Sequence, residues 1–204
     1  MTEELFLEDA YLKEFEARVV RLDGREVVLD KTGFYPGGGG QPADKGILGI
    51  GPVSANVVDV RREGGSIVHV LDAAIPGTVQ RLKGKLEWGR RYAHMRYHTA
   101  LHALSGVIWR NFGARVTGGQ MREERARMDF SFPEEWTSDI VEEIERLTNK
   151  ALAEGRRVRV YWLPREEALE NPDLVRTQVN LVPERVKAVR IVEIEGIDTQ
   201  ADGG

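Results

Sequence analysis

The chain has 204 residues, a formal net charge of −4 and no cysteine. Hydrophobic residues make up 41% of the sequence, a fraction that excludes extended disorder and favours a packed globular core. The slightly acidic balance excludes coating of nucleic acid by bulk positive charge. Because thiols are absent, disulfides, cysteine nucleophiles and thiolate metal sites are excluded, and any metal must bind histidine, aspartate or glutamate.

The N-terminus lacks the basic flank and apolar core of a signal peptide, because acidic residues interrupt it at Glu3, Glu4, Glu8 and Asp9. No run of about 18 apolar residues, the minimum for a membrane-spanning helix, occurs in the sequence. We therefore expect a cytoplasmic protein with no membrane partner and no DNA partner.

The first 87 residues predict antiparallel strands. Apolar and β-branched residues between Phe15 and Leu29 flank Asp23-Gly24, a dipeptide that favours a tight hairpin turn. Three further strands are predicted at Ser54–Val60, Ser66–Leu71 and Thr78–Trp88. Together these segments indicate a small barrel or sandwich, with no helix before residue 88.

Residues 88–204 predict a second domain of mixed structure. Apolar residues at helical spacing predict a helix over His98–Trp109, and a second amphipathic helix is predicted over Glu134–Ala153 with Pro133 at its entrance. Strands are predicted at 126–132, 157–162 and 186–194. The expected fold class is therefore α+β, with an antiparallel β-barrel domain at 1–87 and, at 88–204, a sheet packed by two main helices.

Two histidines on the predicted helix form half of a possible metal site. His98 and His102 are four residues apart, so both imidazoles can reach one metal ion. Histidines at this spacing are as often surface or packed residues as ligands. Thr99 stands where a zinc peptidase helix carries its general-base glutamate, so the pattern does not favour a metalloprotease.

A glycine-rich segment follows the first hairpin. Gly37–Gly40 precede Gln41, and consecutive glycines permit positive φ and allow backbone amides to face an anion. No Lys-Ser or Lys-Thr follows, which excludes a Walker-type phosphate loop. The alternative is a mobile turn.

Two other segments allow a functional and an ordinary interpretation. A basic stretch with interleaved aromatic residues between positions 81 and 97 fits either nucleic-acid contact or a solvated face. Arg90, Arg91 and Arg96 are its candidates for phosphate contact. Asp202, in the C-terminal segment 198–204, offers an oxygen ligand for the histidine pair, and a frayed acidic tail is the alternative.

These segments, in this order, resemble the editing domains of alanyl-tRNA synthetases and their free-standing relatives, the AlaX family, which share ancestry with the editing domain of threonyl-tRNA synthetase. The resemblance covers nearly the whole chain. In its extent the chain is similar to the medium-length free-standing class. The residues that carry it are Thr32-Gly33-Phe34-Tyr35-Pro36, Gly38-Gly39-Gly40-Gln41, Asp44, Arg96-Tyr97-His98-Thr99-Ala100-Leu101-His102, and Ile197-Asp198 with Gly203-Gly204.

The resemblance implies a metal-binding editing core at 88–204 with one zinc ion. In that family two helical histidines hold zinc, and a cysteine and a histidine from a later Cys-x-Gly-Thr-His segment complete the site. This sequence departs there, because Asp202 aligns with the cysteine and the sequence ends at Gly204. Either a fourth ligand follows, or the metal is held by His98, His102, Asp202 and water.

The implied activity is hydrolysis of the ester in Ser-tRNA(Ala), and also in Gly-tRNA(Ala), with charged tRNA(Ala) as the partner. Alanine activation confuses small amino acids, so binding alone discriminates poorly and a second hydrolytic site is needed. The resemblance assigns catalytic roles to Thr32 and Gln41, with Thr32 contacting the amino-acid side chain. It assigns substrate contact to Gly38, Gly39, Gly40 and Arg96. Two alternatives stay open: a non-catalytic tRNA-binding module and a general metal-dependent hydrolase of small esters.

Overall fold

The structure is a computed structural model, and it describes residues 1–132, 135–175 and 186–204. The chain divides into two compact units: unit 1 comprises residues 1–95, 122–124 and 204, and unit 2 comprises residues 96–121 and 125–203. No helix in these described ranges combines the length and apolarity needed to cross a bilayer.

Unit 1 is built around a closed barrel of antiparallel strands. Its elements are β1 (Glu3–Glu4), α1 (Leu5–Glu8), β2 (Glu14–Asp23), β3 (Glu26–Leu29), β4 (Lys31–Thr32), β5 (Gly46–Ile50), β6 (Val53–Glu63), β7 (Ser66–Leu71) and β8 (Arg81–Leu86). The barrel order is β2-β3-β7-β6-β5-β8, and pairing of β2 with β8 closes it. The predicted barrel and its first hairpin are confirmed, whereas the expectation of no helix before residue 88 is wrong because α1 forms one short turn.

Alternation of buried and exposed residues along the strands fills the barrel. On β8, Leu82, Gly84 and Leu86 are buried, whereas the cations between them are exposed. A Cβ added at Gly84 would lie 2.3 Å from the Phe15 ring, so glycine is what admits this aromatic side chain to the core. The hydrophobic effect of burying these side chains stabilises unit 1.

Helix α2 (Trp88–Phe112) begins in unit 1 and continues in unit 2. Sequence periodicity predicted a start at His98, and Trp88 was assigned to a strand, so the predicted start is ten residues late. The first turns carry charged and aromatic side chains rather than an apolar stripe, and periodicity therefore gives no signal there.

Unit 2 contains two small antiparallel sheets and the helices that pack on them. The further elements are β9 (Arg115–Met121), β10 (Ala126–Ser131), α3 (Ser138–Ala153), β11 (Val158–Pro164), α4 (Arg165–Glu170), β12 (Ala188–Ile194) and β13 (Asp198–Ala201). The sheet orders are β10-β9 and β11-β12-β13. Ala103 of α2, Ile194 of β12 and Ile197 share a buried cluster, with Ala151 of α3 packed against it. The α+β fold class, with a sheet packed by two main helices, is confirmed.

Helix α3 begins at Ser138, four residues later than predicted. Thr137 caps it, since the threonine side chain accepts a hydrogen bond from the backbone amide of Ile140 across 3.4 Å. Pro133 and Glu134, which the sequence analysis placed at the helix entrance, lie outside the described residues. The apolar face of α3 presents Ile144, which is buried with Ile108 of α2.

Candidate active site

Three side chains that the sequence marked as possible metal ligands lie together in unit 2. His98, His102 and Asp202 each offer one ligand atom, and these atoms lie within 4.8 Å of one another. Nε2 of His98 is 3.3 Å from Oδ1 of Asp202, and the two imidazole centroids are 5.0 Å apart. The two histidines are one helical turn apart on α2, and Asp202 comes from the residue directly after β13.

Side chains from β13 and the residue after it meet side chains of α2. Asp198, Gln200 and Asp202 alternate along β13 and its extension. Asp198 contacts His102 and Asp202 contacts His98, so the chain direction of β13 opposes that of α2.

The charge on Asp202 is maintained by its neighbours. Burial by itself raises the pKa of Asp202, but the imidazoles of His98 and His102 and the guanidinium of Arg190 outweigh that effect and lower the pKa to about 2. Nη1 of Arg190 lies 3.6 Å from Oδ2 of Asp202 and donates to its backbone carbonyl across 3.2 Å. Asp202 is therefore an anionic oxygen donor at neutral pH.

A buried polar network contacts the Nδ1 edge of His102. Nδ1 of His102 is 2.8 Å from Oδ2 of Asp198, a carboxylate that is only 1% exposed. The side-chain amide of Gln200 donates to the same oxygen across 2.9 Å and to the hydroxyl of Ser105 across 3.1 Å. No site role was predicted for Asp198, although its alternation with Asp202 along the strand is the signal that would have identified it.

The donor set fits a divalent transition metal. Two imidazole nitrogens and one carboxylate oxygen suit zinc and its neighbours, and an oxygen in place of a thiolate makes the site harder. These three groups are the ligand atoms that the described residues bring together. His98, His102 and Asp202 are thus the residues that could hold such an ion.

The glycine-rich loop in unit 1 is a tight turn closed by its own backbone. The φ angles of Gly37, Gly38, Gly39 and Gly40 are 75°, 140°, 57° and 84°, a region that residues with a Cβ rarely adopt. Gly38 and Gln41 exchange two backbone hydrogen bonds of 3.0 and 2.9 Å. The hydroxyl of Tyr35 donates to the Gly38 carbonyl across 3.1 Å, and the side chain of Gln41 is buried.

Two arginines from the first turns of α2 hold the ends of this loop. Arg91 forms a buried ion pair with Asp44 and donates to the carbonyl of Gly33 across 2.7 Å. Arg90 donates to the carbonyl of Ala43 across 3.2 Å and pairs with Glu123. The expectation that Arg91 contacts phosphate is therefore wrong, because its guanidinium is buried and occupied by Asp44. Arg96 belongs to unit 2, where its side chain is exposed.

Thr32 lies inside unit 1, fully buried. Its hydroxyl is 2.8 Å from Nε2 of His69 and accepts from the backbone amide of Phe34 across 3.1 Å. Nδ1 of His69 is 3.0 Å from the carbonyl oxygen of Val27. Because a carbonyl oxygen can only accept, Nδ1 carries the imidazole proton, and Nε2 accepts the hydroxyl hydrogen of Thr32. Burial lowers the pKa of His69 to about 4, which keeps the ring neutral.

Comparison with known proteins gives matches to the barrel region and to the full length of this chain. A sequence model of the family described as tRNA synthetases class II (A) matches residues 5–87. The alanyl-tRNA editing protein AlaX-M of Saccharolobus solfataricus is 44% identical over the whole of this chain, which spans 86% of that relative. AlaX-M of Methanosarcina barkeri is 41% identical over the whole chain and 86% of its own length.

The match extends to a multidomain enzyme. The alanine–tRNA ligase of Pyrococcus abyssi is 41% identical over the whole chain, which spans 22% of that ligase. High identity over the full chain and over most of two free-standing relatives settles the grouping. The chain belongs to the alanyl-tRNA editing family.

Proposed function

We propose that this chain is a trans-editing hydrolase that deacylates Ser-tRNA(Ala), and also Gly-tRNA(Ala), with the help of a zinc ion. As a member of the alanyl-tRNA editing family, the chain is an aminoacyl-tRNA deacylase whose partner is tRNA(Ala). The observation that carries the metal-dependent part is the convergence of His98, His102 and Asp202. We place this activity in the cytoplasm, together with translation.

The reaction breaks the ester between the amino acid and the terminal ribose of tRNA. Water adds to the ester carbonyl, the C–O bond to the ribose breaks, and the products are a free amino acid and uncharged tRNA. A zinc ion bound to His98, His102 and Asp202 would supply Lewis acidity and lower the pKa of a bound water. The anionic Asp202 would offset part of the charge of that ion.

The hydrogen-bond pattern at Thr32 supports a preference for serine. The Thr32 hydroxyl donates to His69 and accepts from the Phe34 amide, so one acceptor lone pair of its oxygen remains for a substrate hydroxyl. A seryl hydroxyl can donate to that lone pair, whereas an alanyl methyl group cannot and would leave a buried polar group unpaired. Glycine also lacks the hydroxyl, so we expect hydrolysis of Gly-tRNA(Ala) to depend only on the small size of glycine.

The other substrate contacts are proposed from the same resemblance. The amides of Gly38, Gly39 and Gly40 are assigned to the substrate, and Gln41 supplies an oriented side-chain amide. Arg96 is assigned to phosphate, because its side chain is exposed and no ion pair is found for it among the described residues.

The experiment that tests the proposal measures deacylation of seryl-, glycyl- and alanyl-tRNA(Ala), after chelation and after zinc is added back. We expect rapid, zinc-dependent loss of serine while alanine is spared. No hydrolysis in any condition would indicate a non-catalytic tRNA-binding module. Equal hydrolysis of serine methyl ester, which has no tRNA, would indicate a general esterase instead.

A further inference from the structure

Strand β13 and helix α2 contact each other in unit 2 and run in opposite chain directions. A Cβ added at Gly106 would lie 2.4 Å from the carbonyl oxygen of Ile197, so the two backbones approach closely at this end. One helical turn earlier, His102 contacts Asp198, and one further turn earlier His98 contacts Asp202. The helix therefore presents one imidazole to each of two carboxylates.

The carboxylate of Asp198 contacts the imidazole of His102 and is itself held by a neighbouring amide. Asp198 is 2.8 Å from Nδ1 of His102 and is also bonded by Gln200, which in turn donates to Ser105. When Nδ1 of His102 donates to this carboxylate, the metal-binding lone pair of the ring resides on Nε2. A carboxylate in this position fixes both the tautomer and the ring orientation of a ligating histidine.

Asp202 is contacted in a similar way by Arg190. Its Oδ1 faces Nε2 of His98 at 3.3 Å, and its Oδ2 lies 3.6 Å from Nη1 of Arg190, which also donates to the Asp202 carbonyl. The guanidinium is 7% exposed, and its position is tied to β12. Arg190 therefore draws one carboxylate oxygen away from the histidines and leaves the other directed toward them.

We propose that Asp198 and Arg190 are positioning residues for the metal ligands, with Asp198 orienting His102 and Arg190 orienting Asp202. This inference rests on the proposed metal-dependent function. Each positioning residue occupies one atom of a ligand side chain, so that the other atom, Nε2 or Oδ1, faces the ion. Neither residue contacts the ion itself.

Zinc affinity is the first test, measured by competition with a chromophoric chelator. Loss of a supporting carboxylate next to a ligating histidine weakens metal binding by about 10–100-fold. We expect about 10-fold weaker binding in Asp198→Asn, which keeps the shape, and up to about 100-fold in Asp198→Ala. Arg190→Gln should weaken binding and Arg190→Lys should restore part of it. Asp59→Asn, an exposed aspartate of unit 1, is the matched control.

A thermodynamic cycle separates positioning from a general structural role. If Asp198 acts through His102, then Asp198→Asn has no further effect on zinc affinity in a His102→Ala background. An equal loss in both backgrounds would overturn the positioning role. Unfolding midpoints of the same variants identify any that fail to fold.

A spectroscopic measurement on the unmodified chain needs no variant. In the ¹⁵N spectrum of the zinc-loaded protein, we expect His102 to bind zinc through Nε2 and to hold a proton on Nδ1. Zinc on Nδ1 of His102 would overturn the inference. Deacylation of Ser-tRNA(Ala) is measured in parallel. If the wild type is active and Asp198→Ala binds zinc as tightly as the wild type does, the positioning role alone is refuted. If the wild type is inactive and binds no zinc, the proposed function is refuted as well.

Discussion

Thr32 donates its hydroxyl hydrogen to Nε2 of His69 across 2.8 Å, and neither side chain is exposed to solvent. The ring has to stay neutral for this bond, because a protonated imidazole has no acceptor nitrogen. Burial disfavours the charged ring and lowers the pKa of His69 from 6.5 to about 4, against a smaller opposing effect of the Val27 carbonyl. Protonation of His69 would break this bond, so the stability of unit 1 depends on pH.

We expect acid to destabilise unit 1 through His69. The unfolded histidine binds a proton below pH 6.5 and the folded one only below about 4, so unfolding takes up a proton between these values. Stability from this group is complete above pH 6.5 and is lost as the pH falls to about 4, by about 3 kcal/mol at most. Urea unfolding between pH 7 and pH 4.5 checks this. His69→Gln should flatten the pH dependence, and an unchanged slope would contradict the assignment.

The buried ion pair of Asp44 and Arg91 predicts a large loss of stability on substitution. Asp44→Ala leaves a guanidinium that is 3% exposed without its carboxylate and removes the acceptor of the Tyr35 amide. Breaking such a pair from one side costs about 3–5 kcal/mol. The urea midpoint of unit 1 is the measurement. Glu16→Ala, which breaks an exposed pair with Lys83, is the control and should leave the midpoint unchanged.

The barrel was predictable because its signals are local. Asp23-Gly24 fixes a hairpin, and alternation along β6, β7 and β8 follows from one buried face per strand. Strand β5 was missed, since Gly46 and Gly49 weaken the strand pattern although both lie against neighbouring backbone. Close backbone approach is a tertiary property that a single sequence does not reveal.

The site was predictable only in its short-range part. The spacing of His98 and His102 indicates that they share a helix face, and the acidic C-terminal segment offered Asp202 as an oxygen ligand. Asp198 was missed although it alternates with Asp202 along the strand. Arg190 was assigned no role, because only the pairing of β12 with β13 brings it to Asp202. Arg91 was assigned to phosphate for the same reason: its partner Asp44 is 47 residues away in sequence.

Substitution of Thr32 should change the choice of substrate. Thr32→Val removes the hydroxyl but keeps the shape, so the acceptor proposed for the seryl hydroxyl is lost. We expect the ratio of seryl to alanyl deacylation to fall by about 5- to 30-fold, which corresponds to one hydrogen bond of about 1–2 kcal/mol. Thr32→Ser keeps the hydroxyl and is the control. An unchanged ratio in Thr32→Val would place the specificity elsewhere.

The close approach at Gly106 should make that glycine sensitive to a single methyl group. Gly106→Ala places a Cβ 2.4 Å from the Ile197 carbonyl, which forces α2 and β13 apart. We expect a loss of about 1–3 kcal/mol in the free energy of unfolding and weaker zinc binding. Gly89→Ala is the matched control on the same helix, because a Cβ there meets nothing within 4 Å. That control should gain stability by up to about 1 kcal/mol, as alanine favours helix.

Removal of the histidine pair should abolish metal binding and deacylation together. In the double variant His98→Ala/His102→Ala, Asp202 is the single member left of the three-residue ligand cluster, and one carboxylate does not hold zinc at micromolar concentration. Bound zinc is measured by elemental analysis after gel filtration, and activity by release of serine from Ser-tRNA(Ala). Circular dichroism and the urea midpoint check that the variant still folds, because His102→Ala also removes the partner of the buried Asp198 carboxylate. Full activity in this variant would refute metal-assisted hydrolysis, since no chelation or re-addition experiment could then depend on these ligands.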